Sequence, residues 1–411
     1  MKKIVIVSGI QIINNPRVVK EANLLSNAGY DVEVIGAILD IKSKEIIQLI
    51  LDNASWNHIP VIDLSKNEKI PKIKFFFYRI KRKLSLLQKS WLNIENPNQL
   101  GYFVKPLLKI SKHRNADLYI VHLEQALWVG KNLIKQGHNV AIDIEDWYSE
   151  DGLPEDRALR PLKLIKECES YLLKNAVYST TTSKSLSAAL QRAYECRPPI
   201  VVYNSFPADN ENSKNKCYLD RKNLNIPSII WFSQTVGPGR GLEQLLDALS
   251  QVDYSYELHI RGTPRIGYCE LLLENIPRDM ARNIYFHPQV PQDELRTRLN
   301  EHDIGYCGEL SDCKNHDLTI SNKMMEYLYT GLAVVASDTM GQKEVAMTIP
   351  DGVFLFSQND LASLKRIFYK LLSDPIVLEK AKKMASSGFK KHYSWCKSET
   401  RLVELVNMAT K

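Results

Sequence analysis

Ser321, Asn322, Lys323 and Glu326 lie within six consecutive residues of the run 317–345, and their types suit a phosphorylated ligand. Ser321 is a natural N-cap for a short helix over 322–329, with apolar residues at Met325, Leu328 and Tyr329 and Gly331 as its stop. A helix starting there offers free backbone N–H groups and the positive end of a dipole to an anion. A lysine in the first turn opposes that dipole, which makes sense if a phosphate sits in front of it. Glu326, one turn on, can accept two hydroxyls from a ribose. The alternative is a solvated lysine and a surface glutamate on an ordinary helix. A second constellation is IIWFSQTVGPGRGLEQLLDAL, in which a strand and a loop carrying Gly237, Gly239 and Arg240 precede a helix. It again aims backbone amides at an anion. Arg261, expected in a loop after a strand over 257–260, is a further cation for that anion.

The elements that position these residues read as alternating strands and helices. The apolar run 332–336 has the length of a buried parallel strand, and Ser337-Asp338 leads from it into a loop with Gly341. Loops beyond the carboxyl ends of strands are where open α/β sheets bind ligands. Strands are also expected over 3–7, 31–35, 117–122, 139–144, 176–182, 200–203, 228–233, 284–287 and 303–306. Asn15 and Pro16 open the first helix as cap and first helical residue, and Gly29 closes it. The strand–helix–strand start demands a parallel sheet. Gly9 stands alone after the first strand, so neither a dinucleotide fingerprint nor a P-loop is present, and nicotinamide or flavin chemistry loses its support.

The length of 411 residues exceeds what one core usually supports, so two domains are expected. Hydrophobic content of 44% and charged content of 25% are those of an ordinary globular protein. No apolar run approaches the roughly 20 residues of a membrane span. Lys2-Lys3 before a short apolar run resembles a secretion signal, but Asn14, Asn15 and Arg17 interrupt it too early. Seven cysteines at scattered spacing suggest no disulfide framework and fit a reducing, cytoplasmic setting. Cys307, Cys313 and His316 come closest to a metal cluster, yet their spacing matches no familiar zinc pattern, and no metal site is expected.

Residues 66–114 are anomalous: thirteen Lys and Arg against Glu68 and Glu95 give a net +11, more than the whole chain's +7. Phe75, Phe76, Phe77, Tyr78, Leu84, Leu86, Leu87 and Trp91 interleave with the cations. Such a segment fits an anionic membrane surface. A solvated helix pair with its aromatics turned to the core is the alternative, and nucleic acid is disfavoured because no binding motif accompanies the charge. Elsewhere in this half, His122, Glu145, Asp146 and Trp147 fall at or just past the carboxyl ends of two strands. Arg17 and Glu21 stand one helical turn apart, so a mutual pair and a role at that end are both open.

The run SNKMMEYLYTGLAVVASD resembles the donor-site signature of the family 4-like (group 1) glycosyltransferases of the GT-B fold. The resemblance extends to Asn15-Pro16-Arg17-Val18 with Glu21, and to the loop ending in Arg240-Gly241. It implies that Glu326 holds the ribose of a nucleotide sugar and that amides near Ser321-Asn322 meet its diphosphate. It further implies that Arg240 stands in for a lysine of that loop, and that Gly9, Asn15, Arg17, His122 and Trp147 line the acceptor side. Three positions depart from the family pattern. An expected glutamate falls on Leu318, an expected arginine falls on Thr235, and Asp143-Ile144-Glu145-Asp146 stands where Asp-x-His-Glu is usual.

The resulting expectation is an α/β protein of two doubly wound, parallel-sheet, Rossmann-like domains facing a cleft. Residues 1–205 form an acceptor-side domain with the basic insert 66–114, 206–227 a linker, 228–385 the nucleotide-sugar domain, and 386–411 a closing helix that crosses back. The implied activity is transfer of a hexose from a UDP- or GDP-sugar to a glycan or lipid-linked acceptor in surface polysaccharide assembly. It is metal-independent and retaining, requires no cofactor, and works at the inner face of the cell membrane. Arg240 and Lys323 are the expected charge stabilisers, and Glu145 or Asp146 the base if the reaction inverts. A non-catalytic partner subunit, a nucleotide-sugar epimerase and a glycan phosphorylase are the competing readings.

Overall fold

The computed structural model describes residues 1–66, 68–207, 219–274 and 276–411, so 208–218 of the expected linker lie outside the described residues. The chain divides into two compact units, Met1–Val202 with Ser398–Lys411, and Tyr203–Lys397.

In the first unit the valine- and isoleucine-rich runs form β1 (Lys3–Ser8), β2 (Asp31–Ile38), β4 (Leu118–His122) and β5 (Val140–Ile144), with β3 (Asn57–Asp63), β6 (Ser179–Thr181) and β7 (Ile200–Val201) completing the sheet. Its order is β3-β2-β1-β4-β5-β6-β7, every pairing parallel. β1, β4 and β5 are buried on both faces, as central strands of a helix-covered parallel sheet must be. Asn15 caps the helix Pro16–Asn27 by accepting from the amides of Arg17 and Val18, and Val18, Ala22 and Leu25 pack into the core. Leu405 and Val406 of the helix Trp395–Ala409 join that same core.

In the second unit β8 (Ser228–Val236), β9 (Glu257–Pro264), β10 (Ile284–His287), β11 (Ile304–Cys307), β12 (Ala333–Ser337) and β13 (Val353–Phe356) form a second all-parallel sheet in the order β10-β9-β8-β11-β12-β13. In each sheet the strand order reverses beside the first strand, the doubly wound topology in which ligands bind beyond the carboxyl ends. β8 and β9 run longer than the apolar pattern suggested, with a register shift between Phe232 and Thr235. Arg261 therefore lies inside β9 and not in a loop after it. The expected Gly341 loop is the first turn of the helix Met340–Thr348, capped by Thr339. A Cβ at Gly341 would sit 2.1 Å from the Thr319 carbonyl oxygen, so glycine lets this helix press against the backbone leading into Ser321.

The basic segment resolves into the helices Lys69–Leu92 and Val104–Lys112. Among the described residues, no helix is long and apolar enough to cross a membrane.

Candidate functional site

The helix Asn322–Thr330 has Ser321 as N-cap, its hydroxyl accepting from the Lys323 amide at 3.3 Å, and ends at Gly331 with φ of 77°. Met324, Met325, Tyr327 and Leu328 are buried, while Tyr329 is half-buried. The Tyr327 hydroxyl donates at 3.2 Å to the carbonyls of both Ile230 and Tyr306. This ties the helix to β8 and β11, so its amino end is fixed at the carboxyl end of the sheet.

Three segments meet there. The Tyr306 hydroxyl donates to the Gly241 carbonyl at 3.0 Å. Gly241 has φ of 73°, and a Cβ on it would lie 2.4 Å from the Gly308 carbonyl oxygen, so only glycine lets the 237–241 loop press against the loop after β11. The contact brings exposed Arg240 toward Glu309, which sequence reasoning missed. One Glu309 oxygen accepts from Lys323 Nζ at 2.5 Å and from the Ser321 hydroxyl at 2.8 Å. Burial pushes the Glu309 carboxyl up, but the Lys323 ammonium, the hydrogen bonds from Lys323 and Ser321 and the nearby Arg240 outweigh it and hold it below its ordinary value. Lys323 also lies 5.7 Å from the centre of the Trp231 ring. Gly237 is buried and Gly239 exposed in the same loop. Asn322 accepts from the Asn204 amide at 2.9 Å. Ser321 and Lys323, with the charge of Arg240, thus engage an acid on which the sequence pattern gave no handle, since Glu309 sits in an aperiodic loop, while Asn322 turns to Asn204.

Two expected members are committed elsewhere. Arg261 is buried in β9, paired with Asp220 and donating to the Pro288 carbonyl at 2.7 Å, so it serves the inside of its own domain and is no substitute cation for the Thr235 departure. Glu326 is buried and accepts from Gln292 Nε2 and from Arg296 Nε, each at 3.0 Å. Arg296 in turn lies over the Phe206 ring at 4.0 Å and the Tyr329 ring at 5.0 Å. The carboxylate expected to be open to a ribose is already one half of a buried ion pair. The helix Gln292–Leu299 supplied the signal, but an arginine on a polar helix reads as a solvated face.

The first unit carries a polar cluster at the matching end of its sheet. Arg17 binds Asp143 through two nitrogens and donates to the Val202 carbonyl at 2.7 Å. Glu21 accepts from His122 Nε2 at 2.7 Å, so Arg17 and Glu21 do not form the helical-turn pair their spacing allows. His122 Nδ1 lies 3.3 Å from Glu145, and Glu145 also accepts from Asn15 at 2.9 Å. Burial pushes the His122 imidazole down, but its hydrogen bonds to Glu145 and Glu21 and the charges of Glu21 and Asp143 push it up to about 10, making it a buried cation. Asp143 is held below its ordinary value against burial by Arg17 and His122. His122, Asp143 and Glu145 each bring a ligand-type atom within 4.8 Å of the others. Both Asp143 oxygens are occupied by Arg17 and Thr180, and His122 is held between carboxylates, so this donor set is a closed ion cluster that does not fit a metal. Asp146 follows Glu145 directly. Trp147 is buried and donates to the Tyr194 hydroxyl at 3.1 Å. Gly9 packs on the helix Leu123–Ile134, where a Cβ would lie 2.7 Å from Gln125 Cβ. Two buried hydroxyls at this end, Ser8 Oγ and Tyr148 Oη, have no hydrogen-bond partner among the described residues.

A third cluster lies toward the amino ends of β8, β9 and β11. His259 Nδ1 is 2.9 Å from His287 Nε2, and the His302 ring centre is 4.5 Å from that of His259. Burial, the neighbouring histidine and nearby arginines push His259 down to about 3 and His302 well below its ordinary value, so these rings are neutral. Cys307 is buried in β11, its thiol pushed up to about 12 by burial, while Cys313 caps the helix Lys314–Leu318 and His316 pairs with Asp312 at 2.5 Å.

Residues 226–374, which carry β8 through β13, match the family model described as glycosyl transferases group 1. The whole chain is similar to solved structures of the GT-B fold. Against Anabaena HepE in complex with UDP and glucose it is 14% identical, covering 99% of this chain and 100% of that one, with a TM-score of 0.70. Against sucrose-phosphate synthase from Thermosynechococcus elongatus it is 15% identical over 99% of both chains, with a TM-score of 0.68. Against a mutant of S. aureus TarM in complex with fondaparinux, alpha-GlcNAc-glycerol and UDP it is 10% identical over 100% of both chains, with a TM-score of 0.66. At such identities the likeness establishes the GT-B fold. No curated protein matches the sequence. Within the matched residues, Arg240, Lys323 and Glu309 lie in the loops and helix start beyond the carboxyl ends of the strands.

Proposed function

We propose that the protein transfers a hexose from a nucleotide sugar, a UDP- or GDP-sugar, to a glycan or lipid-linked acceptor in surface polysaccharide assembly. The observation that carries this reading is the pairing of Lys323, in the first turn of the helix Asn322–Thr330, with Glu309, a carboxylate that the charge of exposed Arg240 also reaches. Two cations and a helix dipole at one point match the charge of a diphosphate. The UDP bound by HepE and by the TarM mutant, proteins of the same fold, supports the donor class.

In this reading Lys323 exchanges Glu309 for the diphosphate when donor enters, and Arg240 closes on it from the glycine loop. The bond between the anomeric carbon and the phosphate oxygen breaks, the electron pair leaves with the nucleoside diphosphate, and the two cations stabilise the departing charge. The acceptor oxygen forms the new bond at the same carbon. With retention, which this reading favours, its proton passes to the leaving phosphate oxygen. The side chains themselves supply the positive charge, so the step needs no divalent ion. The ribose role of Glu326 requires Arg296 to yield one of its bonds. A lipid-linked acceptor would place the work at an anionic membrane face.

A thermal-shift screen against UDP, GDP, CMP, ADP and dTDP tests the donor site. A nucleotide at a hundred times its dissociation constant adds about 2.7 kcal/mol of stability. A shift with one nucleotide that disappears in Arg240→Ala is the expected result. No shift with any nucleotide would turn the reading toward a non-catalytic partner subunit.

A further inference from the structure

The helix Lys69–Leu92 is turned the wrong way round for a helix on a domain surface. Its inward face is Phe75, Tyr78, Arg82, Ser85 and Lys89. Phe75 packs on Tyr102 and Phe103, with ring centres 5.5 and 5.8 Å apart, and Arg82 lies 4.6 Å from the centre of the Tyr102 ring. Ser85 donates to Asn96 at 2.9 Å, and Lys89 pairs with Glu95 at 2.5 Å. The outward face is apolar. Ile73, Phe77, Ile80, Leu84, Leu87 and Trp91 recur at alternating steps of four and three and are all exposed, Phe77 by 54%, Leu84 by 56% and Trp91 by 82%. On an ordinary amphipathic helix that stripe faces the core.

The charges say what covers it. The helix holds eight Lys and Arg and no Asp or Glu. At 100° per residue, Arg79 and Lys83 flank the stripe on one side and Lys74 and Lys81 on the other, all four exposed. A second copy docking along the same seam would bring two wholly basic helices together, with like charges at both edges. An anionic lipid surface meets both features at once: the stripe enters the headgroup–acyl boundary, and the flanking cations reach the phosphates beside it. We infer that the helix Lys69–Leu92 is an interfacial membrane anchor, lying flat on an anionic bilayer with its Ile73–Trp91 stripe buried in it. The inference deepens the membrane-face part of the proposed function and rests on that reading for its purpose, while its physics rests on the helix alone.

Sedimentation with vesicles of phosphatidylcholine plus phosphatidylglycerol, against phosphatidylcholine alone, tests it on the full chain. Binding to the mixed vesicles is expected to fall at least about tenfold in Phe77→Ser/Leu84→Ser, and about fivefold for each of Lys81→Ser and Lys83→Ser. The tryptophan emission is expected to shift to the blue on mixed vesicles and to lose that shift in Trp91→Phe. Equal binding to both vesicles, no binding, or binding untouched by the stripe variant would overturn the anchor. So would a wild-type dimer in sizing columns that the stripe variant dissolves. The nucleotide thermal shift is run on the same variants. An unchanged shift shows that they fold and separates the two claims, since a lost anchor then leaves the transferase reading standing, and a missing nucleotide response leaves the anchor standing.

Discussion

The two sheets are wound alike, yet their carboxyl ends are built from opposite charges. In the first domain three acids, Glu21, Asp143 and Glu145, close around Arg17 and His122, and the cluster satisfies itself inside the protein. In the second, two cations, Arg240 and Lys323, share one acid, Glu309, and Arg240 is exposed. The first arrangement is a finished structure and the second an unfinished one that an anion would complete. The same topology offers both domains a ligand-binding end, so the difference lies in which side chains the loops deliver there and whether those side chains already have partners.

That contrast can be broken from either side. The largest effect is expected in the first domain. Asp143→Asn leaves Arg17 buried without its counter-charge and should cost about 3–5 kcal/mol of stability, read from urea unfolding, with nucleotide affinity unchanged wherever the variant is folded. In the second domain Lys323→Ala should leave stability nearly as it was and lower donor turnover by on the order of 3 kcal/mol, a hundredfold or more. If instead Lys323→Ala unfolds the protein and Asp143→Asn is silent, the contrast is reversed.

The buried histidines extend the comparison to pH. His122 sits at about 10 in the folded protein, above its ordinary 6.5. Its contribution is therefore complete below pH about 6.5 and is lost as pH rises through about 10. His259 sits at about 3, below 6.5, so its contribution is complete above 6.5 and drains away as pH falls toward 3. The first domain should weaken first in alkali and the second first in acid, which amide exchange resolved by domain would report. Burial by itself lowers both rings. Three carboxylates around His122 overturn that effect, whereas around His259 burial prevails, reinforced by His287 and then by arginines.

A smaller effect separates Glu326 from its partner. Arg296→Leu leaves the Glu326 carboxylate buried without its ion pair and should cost stability. Bound nucleotide should restore part of that loss if Glu326 also receives the ribose. Nucleotide-dependent rescue measured by thermal shift checks this.

Much of this was legible in the chain. Valine and isoleucine runs marked the central strands, and Asn15 and Ser321 marked helix starts that their side chains indeed cap. β3 escaped because it is a half-exposed edge with Pro60 inside it. At the site, Arg240 and Lys323 were visible as cations in the wrong company for a plain helix or turn. Glu309 was not, because only the close approach of Gly241 to Gly308 brings its loop to them. Arg261 misled for a related reason: a strand that continues four residues past its apolar pattern turns an expected loop cation into a buried one. The orientation of the helix Lys69–Leu92 was beyond sequence, since its pattern is amphipathic whichever face looks inward.

The most direct test of the central claim is release of nucleoside diphosphate from a panel of nucleotide sugars, comparing the wild-type chain with Arg240→Ala/Lys323→Ala. The account predicts that the wild type consumes one donor and that the double variant, folded to the same degree, does so at least a thousandfold more slowly, about 4 kcal/mol in the transition state. Consumption that persists in the double variant, or no consumption of any nucleotide sugar by the wild type, would contradict it.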